Sequence, residues 1–186
     1  MKTTKYLETI IQELQRAVQL ISGTEADEFV EAILQAKKVF VVGAGRSGFM
    51  GKSFVMRMMH MGIDAYAVGE TVTANLEEGD LLIVGTGSGE TKSLIPIVEK
   101  AKILGGTIAA VTLSTQSTIG ELADLTVSLP GAPKERVEGS DYETMQPMGS
   151  LFEQTSLIFY DGVILRIMEK KELNSKQMYG KHANLE

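Results

Sequence analysis

The sequence contains no cysteine, no tryptophan and only two histidines, His60 and His182, among 186 residues. Without cysteine, the chain can form no disulfide, no thiolate nucleophile and no thiolate metal ligand. Two histidines also argue against a metal centre built from imidazoles. The sequence therefore leads us to expect a protein with neither a bound metal nor a cofactor.

Long apolar runs and an excess of positive charge are missing as well. No stretch approaches the roughly 20 uninterrupted apolar residues of a membrane span, and the N-terminus leads into a patterned helix rather than a signal peptide. The formal charge is −6, which argues against nucleic acid as a partner because such affinity needs clustered Lys and Arg. We expect a cytoplasmic protein without a membrane or nucleic-acid partner, and an anionic small ligand is still allowed.

The hydrophobic pattern changes near Lys38. Before it, two amphipathic helices are predicted, the first stopped by Gly23 and the second capped by Thr24. After it come five short, continuous apolar runs of the kind seen in parallel strands covered on both faces, at 39–42, 65–68, 81–84, 108–111 and 125–129. Their alternation with helical segments predicts an α/β fold, a doubly wound five-stranded parallel sheet in the flavodoxin-like order 2-1-3-4-5.

Helices are predicted between the strands, over 47–61, 91–104 and 117–122. A final long helix, over about 150–169, is apolar on almost every side, which is typical of a helix buried in its own subunit or against another. Residues 130–149 before it are irregular, as in a loop that serves a site or an interface. The whole chain, 1–186, is expected to form one domain.

Two glycine-rich loops follow the first and third strands, residues 43–48 (the first loop) and 85–91 (the second loop). Glycine lets backbone N–H groups approach an anion, and a helix N-terminus adds unpaired donors. In the expected strand order both loops lie at the switch point where open α/β sheets bind ligands. The sequence predicts a phosphate ester held between them, with the candidate residues Gly45, Arg46, Ser47, Thr86, Gly87, Ser88, Gly89, Glu90 and Thr91.

Each loop has an alternative interpretation. The first reads Gly-x-Gly-x-x-Gly, a dinucleotide fingerprint that is weak evidence alone. A dinucleotide site requires an acidic residue at the end of the second strand, but here Glu70 lies beyond that end. The second loop could be a hydroxyl-rich turn in which Thr91 caps the next helix. Because two such loops occur in one chain, phosphate binding is favoured.

These motifs together resemble the sugar isomerase (SIS) domain family, whose phosphosugar pocket uses a G-x-G-x-S turn and an S-x-S-G-x-[ST] loop. Thr86 stands here for the first serine of the second motif, and Thr91 fills its last hydroxyl position. Within the family, the similarity is greatest to the 6-phospho-3-hexuloisomerases, at 43–48, 87–93, 146–154 and 182–186.

The resemblance implies interconversion of D-arabino-hex-3-ulose 6-phosphate and D-fructose 6-phosphate, in formaldehyde fixation by the ribulose monophosphate route. It also implies a homotetramer with active sites at subunit boundaries. The alternatives are a non-catalytic regulatory module that binds a phosphosugar, and another phosphosugar aldose–ketose isomerase.

Isomerisation through a cis-enediol needs a base, and Glu153 on the otherwise apolar last helix is our candidate. Its alternative role is to complete a capping box with Ser150, three residues earlier. The resemblance favours catalysis, and it also implies a C-terminal histidine as a second acid/base, here His182, from its own or a neighbouring subunit. A solvated terminal histidine is the alternative. Arg46 can contact the phosphate, an enediolate oxygen or solvent.

Overall fold

The computed structural model describes residues 2–132 and 143–185 of the chain. Twelve elements follow one another: α1 (Thr3–Val18), α2 (Gly23–Gln35), β1 (Val39–Gly43), α3 (Gly45–His60), β2 (Ala65–Ala67), β3 (Leu81–Thr86), α4 (Ile95–Ile103), β4 (Thr107–Thr112), α5 (Thr118–Leu122), β5 (Leu125–Ser128), α6 (Ser150–Lys170) and α7 (Ser175–Tyr179). Part of the predicted irregular segment, 133–142, lies outside the described residues.

The five strands form one parallel sheet in the order β2-β1-β3-β4-β5. The predicted fold class and strand order are thus confirmed, and so is the long helix α6. Both faces of the sheet are covered, by α2, α3 and α6 on one side and by α4 and α5 on the other. Neighbouring residues of a strand therefore enter different cores, as Val41 and Phe40 do, which explains why the runs are apolar without alternation.

Three predicted helix starts are wrong: α3 begins at Gly45 rather than at 47, and the other two differ for local reasons. Helix α2 begins at Gly23 and is capped by Ser22, whose hydroxyl accepts a hydrogen bond from the Glu25 N–H at 3.3 Å. Helix α4 begins at Ile95 rather than at 91, so Thr91 does not cap it. Pro96 is the cause, because proline has no N–H to donate to the carbonyl four residues earlier and is therefore favoured only in the first turn of a helix.

In the two described stretches, no helix combines the length and the hydrophobicity that crossing a bilayer requires.

Candidate active site

The two glycine loops lie side by side at the carboxyl ends of β1 and β3, where Gly43 and Gly85 are partners in register. A Cβ placed on Gly43 would lie 3.0 Å from the Gly85 carbonyl oxygen, and one on Gly48 would lie 2.6 Å from the Gly43 carbonyl oxygen. Such distances exclude a side chain at these positions unless the backbone moves. The loops are therefore in direct main-chain contact, at the switch point between strands whose helices leave on opposite faces.

A cavity of about 530 Å³ opens above this contact. The first loop contributes Gly45 and Ser47 to its lining, and α6 contributes Glu153. The second loop contributes four predicted residues, Thr86, Gly87, Ser88 and Thr91. Seven residues predicted from the sequence thus line one cavity, of a size suited to a small ligand.

The first loop leads straight into α3. Ala44 is the N-cap residue, and no side chain caps the helix. Gly45 has φ +58°, a left-handed conformation that glycine adopts without strain. The N–H groups of the first helical turn have no acceptor within the helix, and the helix dipole adds positive potential there. This end of the cavity is suited to an anion.

The second loop is held in shape by its own hydroxyl groups. Thr86 Oγ1 accepts from the Gly89 N–H at 3.2 Å and shares a hydrogen bond with Thr91 Oγ1 at 3.3 Å. Ser88 Oγ accepts from the Glu90 N–H at 3.2 Å. Since a hydroxyl can accept and donate together, Ser88 retains a proton with which to bind a ligand oxygen.

Glu90 and Gly89, both predicted to bind phosphate, do not line the cavity. The Glu90 carboxylate accepts from the N–H of Thr118 at 2.7 Å and from its hydroxyl at 2.8 Å. These bonds, the backbone one foremost, lower the pKa of Glu90 below its ordinary value. Gly89 has φ +67° and packs against Ser117. Both residues therefore hold the second loop against α5, and the carboxylate of Glu90 is directed at Thr118 rather than at the cavity.

Glu153 lies in the first turn of α6 and is only 6% exposed. Its Oε2 lies 3.1 Å from Arg46 Nη1, which also donates to Ser150 Oγ at 3.0 Å. The N-cap residue of α6 is Gly149, so the capping box between Ser150 and Glu153 is not formed. Arg46 is thus an ion-pair partner of Oε2, and no described residue donates a hydrogen bond of good geometry to that oxygen. A carboxylate that faces a cavity beside a cation can serve as a base.

His182 lies elsewhere in its own chain. Its ring stacks on His60 at 5.3 Å between centroids and on Tyr179 at 6.0 Å. These residues line a second cavity, of about 400 Å³, together with Arg57 and Asp161. His60 is buried, and burial first, then the charges of His182 and Arg57, lower its pKa. The structure therefore does not bring His182 to the cavity that contains Glu153.

Sequence reasoning missed the apolar part of the lining, formed by Leu113, Ala132 and Phe152. Leu113 directly follows β4, so the rule that ligands bind beyond the carboxyl ends of the strands could have indicated it. The sequence could also have indicated Phe152, because it directly precedes the candidate base Glu153. Ala132 ends the first described stretch and carries no comparable signal. Within both described stretches, no three His, Asp or Glu side chains are placed to hold a metal ion.

The sequence matches a known protein family and is similar to named proteins. Residues 32–158 match the sequence profile of the SIS domain. The chain is 56% identical over 186 residues to the 3-hexulose-6-phosphate isomerase of Bacillus subtilis, with 100% of both chains covered. It is 42% identical over 159 residues to the 3-hexulose-6-phosphate isomerase of Methanocaldococcus jannaschii, covering 86% of this chain and 83% of that one.

A solved crystal structure is also similar to this chain. A Methanococcus jannaschii protein, whose crystal structure infers a molecular function of 3-hexulose-6-phosphate isomerase, is 36% identical to this chain. The two superpose with a TM-score of 0.82, over 98% of this chain and 99% of that one.

Proposed function

The chain belongs to the SIS domain family, and on this premise we propose that it interconverts D-arabino-hex-3-ulose 6-phosphate and D-fructose 6-phosphate. The observation that carries the proposal is one buried carboxylate, Glu153, in the same cavity as two loops suited to a phosphate. The substrate follows from the 56% identity, over the full chain, to an isomerase of that name. The activity fits the ribulose monophosphate route of formaldehyde fixation.

The two loops hold the phosphate end of the sugar in this proposal. Gly45, Ser47, Thr86, Ser88 and Thr91 line the cavity on that side with backbone N–H groups and hydroxyls. Charge-assisted hydrogen bonds of this kind fix a phosphate in position and register. The carbons that react lie several bonds away, toward Glu153.

Glu153 performs the proton transfer in the proposed mechanism. Its carboxylate removes the proton from C2 of the 3-ulose, and the electron pair of the C2–H bond forms the C2–C3 double bond of a cis-enediolate. Glu153 then returns the proton to C3, while the hydroxyl proton of O2 moves to O3, so that the carbonyl now lies at C2. One C–H bond breaks and one forms, which conserves atoms and charge. Arg46, beside Glu153, supplies positive charge near the developing enediolate.

We propose that His182 relays the proton between O2 and O3, and that a neighbouring subunit supplies it. Its distance from the Glu153 cavity in its own chain supports this, because the two residues line different cavities. Phe49 and Met148, which flank lining residues in the sequence, are 64% and 67% exposed and offer apolar surface to a partner. The proposed assembly is a cytoplasmic homotetramer of single-domain chains with active sites at the subunit interfaces.

Turnover of purified protein tests the proposal. D-arabino-hex-3-ulose 6-phosphate is assayed beside arabinose 5-phosphate and sedoheptulose 7-phosphate, and we expect fructose 6-phosphate from the first and no product from the others. Reaction in D₂O should place deuterium on the carbon that is reprotonated, as a base-catalysed enediolate route requires. A protein that the hexulose phosphate stabilises thermally without turnover would instead be a phosphosugar sensor.

A further inference from the structure

We infer that Glu13, on helix α1, is a positioning residue that holds the carboxylate of Glu153 where it can act as the base. This inference rests on the proposed function and deepens it. Glu13 lies outside residues 32–158, the part of the chain that matches the SIS domain. Its carboxylate is nevertheless only 3% exposed, on a helix whose other faces are largely open to solvent. A charge buried so deeply requires partners.

Three of its partners are consecutive residues far along the chain. Glu13 Oε2 accepts from Thr144 Oγ1 at 2.6 Å and from Gln146 Nε2 at 3.0 Å, and Oε1 accepts from the Met145 N–H at 2.9 Å. Burial raises the pKa of Glu13, but these hydrogen bonds and the charge of Arg16 outweigh it and lower the pKa below its ordinary value. The carboxylate is thus ionised at neutral pH, and charge-assisted bonds hold the segment at three points.

This anchored segment leads directly into the first turn of α6. The Pro147 carbonyl accepts from the Ser150 N–H at 3.2 Å, and the Gly149 carbonyl accepts from the Glu153 N–H at 3.0 Å. Met148 between them has φ +55°, a strained conformation that persists only where its surroundings determine it. A short, strained and hydrogen-bonded path therefore joins the Glu13 anchor to the base.

Helix α1 also packs on α6, so the two ends of this path share one support. An apolar residue at position 13 could fill the same space, but it would remove the acceptor that the hydroxyl, N–H and amide groups of residues 144–146 share. The carboxylate satisfies all three in a single arrangement. The N-terminal helix thereby sets the position of Glu153 without touching the cavity.

Glu13→Ala tests the inference, with Glu8→Ala as the control on the same helix, where Glu8 is exposed and pairs with Lys5. We expect kcat to fall roughly tenfold to 100-fold in Glu13→Ala, because small misplacements of a catalytic group have costs of that order. Inhibition by inorganic phosphate should stay as in the wild type, since the loops are untouched. Glu8→Ala should match the wild type in both.

If Glu13 contributed only to the stability of the fold, different kinetics would be expected. A variant destabilised elsewhere, such as Ile108→Val in the core on the opposite face, would then show the same kinetics as Glu13→Ala. Equal kcat in these two variants, or a matching change in phosphate inhibition, overturns the inference. Glu13→Gln, which keeps an acceptor for Met145, should recover part of the lost kcat. If Glu13→Ala does not fold, Thr144→Val removes the bond to Glu13 together with the one that the Thr144 hydroxyl accepts from the Gln146 N–H, and it should lower kcat in the same direction.

A different result would disprove the proposed function itself, namely an absence of turnover in the wild type. In that case amide hydrogen exchange tests the inference. Glu13→Ala should lose protection over residues 145–153 and keep it over the second loop, 85–91. Unchanged protection over 145–153 overturns the inference whatever the activity of the protein is.

Discussion

Arg46 and Glu153 form an ion pair between the first loop and α6, with 3.1 Å between Nη1 and Oε2. The arginine side chain is 55% exposed and the glutamate side chain 7% exposed. A half-exposed cation therefore compensates a buried anion. We expect a phosphate bound in the cavity, or an enediolate formed there, to compete with Glu153 for the positive charge of Arg46. On this expectation, binding and catalysis are coupled through Arg46.

Glu153→Gln keeps the size of the side chain and removes its basicity. We expect turnover of the hexulose phosphate to fall by about 100-fold or more, the usual contribution of a general base, while inorganic phosphate still inhibits binding. Steady-state kinetics measure both effects, with Glu169→Gln on the exposed side of the same helix as the control. Wild-type turnover in Glu153→Gln would contradict the proposed mechanism.

Arg46→Ala leaves the buried Glu153 carboxylate without its cation. Since breaking such a pair exposes an uncompensated charge, and since Arg46 is itself half exposed, we expect a loss of about 1–2 kcal/mol in the free energy of unfolding. Urea denaturation measures it. Arg166→Ala, which breaks only surface pairs, should cost clearly less, because solvent and salt screen such pairs. The coupling would be disproved if Arg46→Ala were as stable and as active as the wild type.

Ser88→Ala removes a hydroxyl that lines the cavity at the second loop. Hydrogen bonds to charged groups contribute about 1.5–3 kcal/mol, so KM and the inhibition constant for inorganic phosphate should both rise roughly tenfold or more. The control is Ser93→Ala, an exposed serine that does not line the cavity. Unaltered constants would remove Ser88 from the phosphate site.

The hydrogen bonds from Thr118 to the Glu90 carboxylate predict that the stability of the fold depends on pH. Because the pKa of Glu90 is lowered in the folded protein, its stabilising contribution is fully present above its ordinary value of 4.5 and is lost as the pH falls through the folded value. The difference in melting temperature between the wild type and Glu90→Gln should therefore be constant near neutrality and shrink in acid. Thermal denaturation between about pH 3 and pH 7 measures it.

The exposed Glu99→Gln serves as the reference for this experiment, since Glu99 lies on α4 in contact with solvent. It controls for the loss of one surface carboxylate. A difference between wild type and Glu90→Gln that grows toward low pH would show that Glu90 is not held as its carboxylate.

Mixed oligomers test whether His182 acts across a subunit boundary. Glu153→Gln and His182→Ala chains are each expected to be inactive, and co-expression of the two should restore part of the activity. The reason is geometric, since a site that combines two chains can receive an intact Glu153 from one and an intact His182 from the other. If both residues had to come from the same chain, no mixed site would be complete and no activity would return.

Much of the fold was predictable because local patterns determine it. Continuous apolar runs identified all five strands, and the all-round hydrophobicity of residues 150–169 identified α6. The errors at Ser22 and Pro96 were local as well. A residue before a glycine can cap a helix, and one proline can delay a helix start by several residues.

The candidate site was predictable as a set of loops but not as a set of side-chain directions. A motif names Glu90 without revealing that its carboxylate turns toward Thr118. Glu13 could not be identified from its own helix, because its partners, residues 144–146, meet it only in the folded chain. The position of His182 against His60 is likewise a tertiary contact with no local signal.

The main-chain contact of Gly43, Gly48 and Gly85 has an evolutionary consequence. There is no room for a Cβ at Gly43 or Gly48, so a substitution at either position would have to move the backbone that carries both loops. Changes in the shape of the cavity are then easier to obtain at its apolar lining, where Leu113, Ala132 and Phe152 can change size. Directed evolution toward longer or shorter sugars is best started with libraries at those three positions.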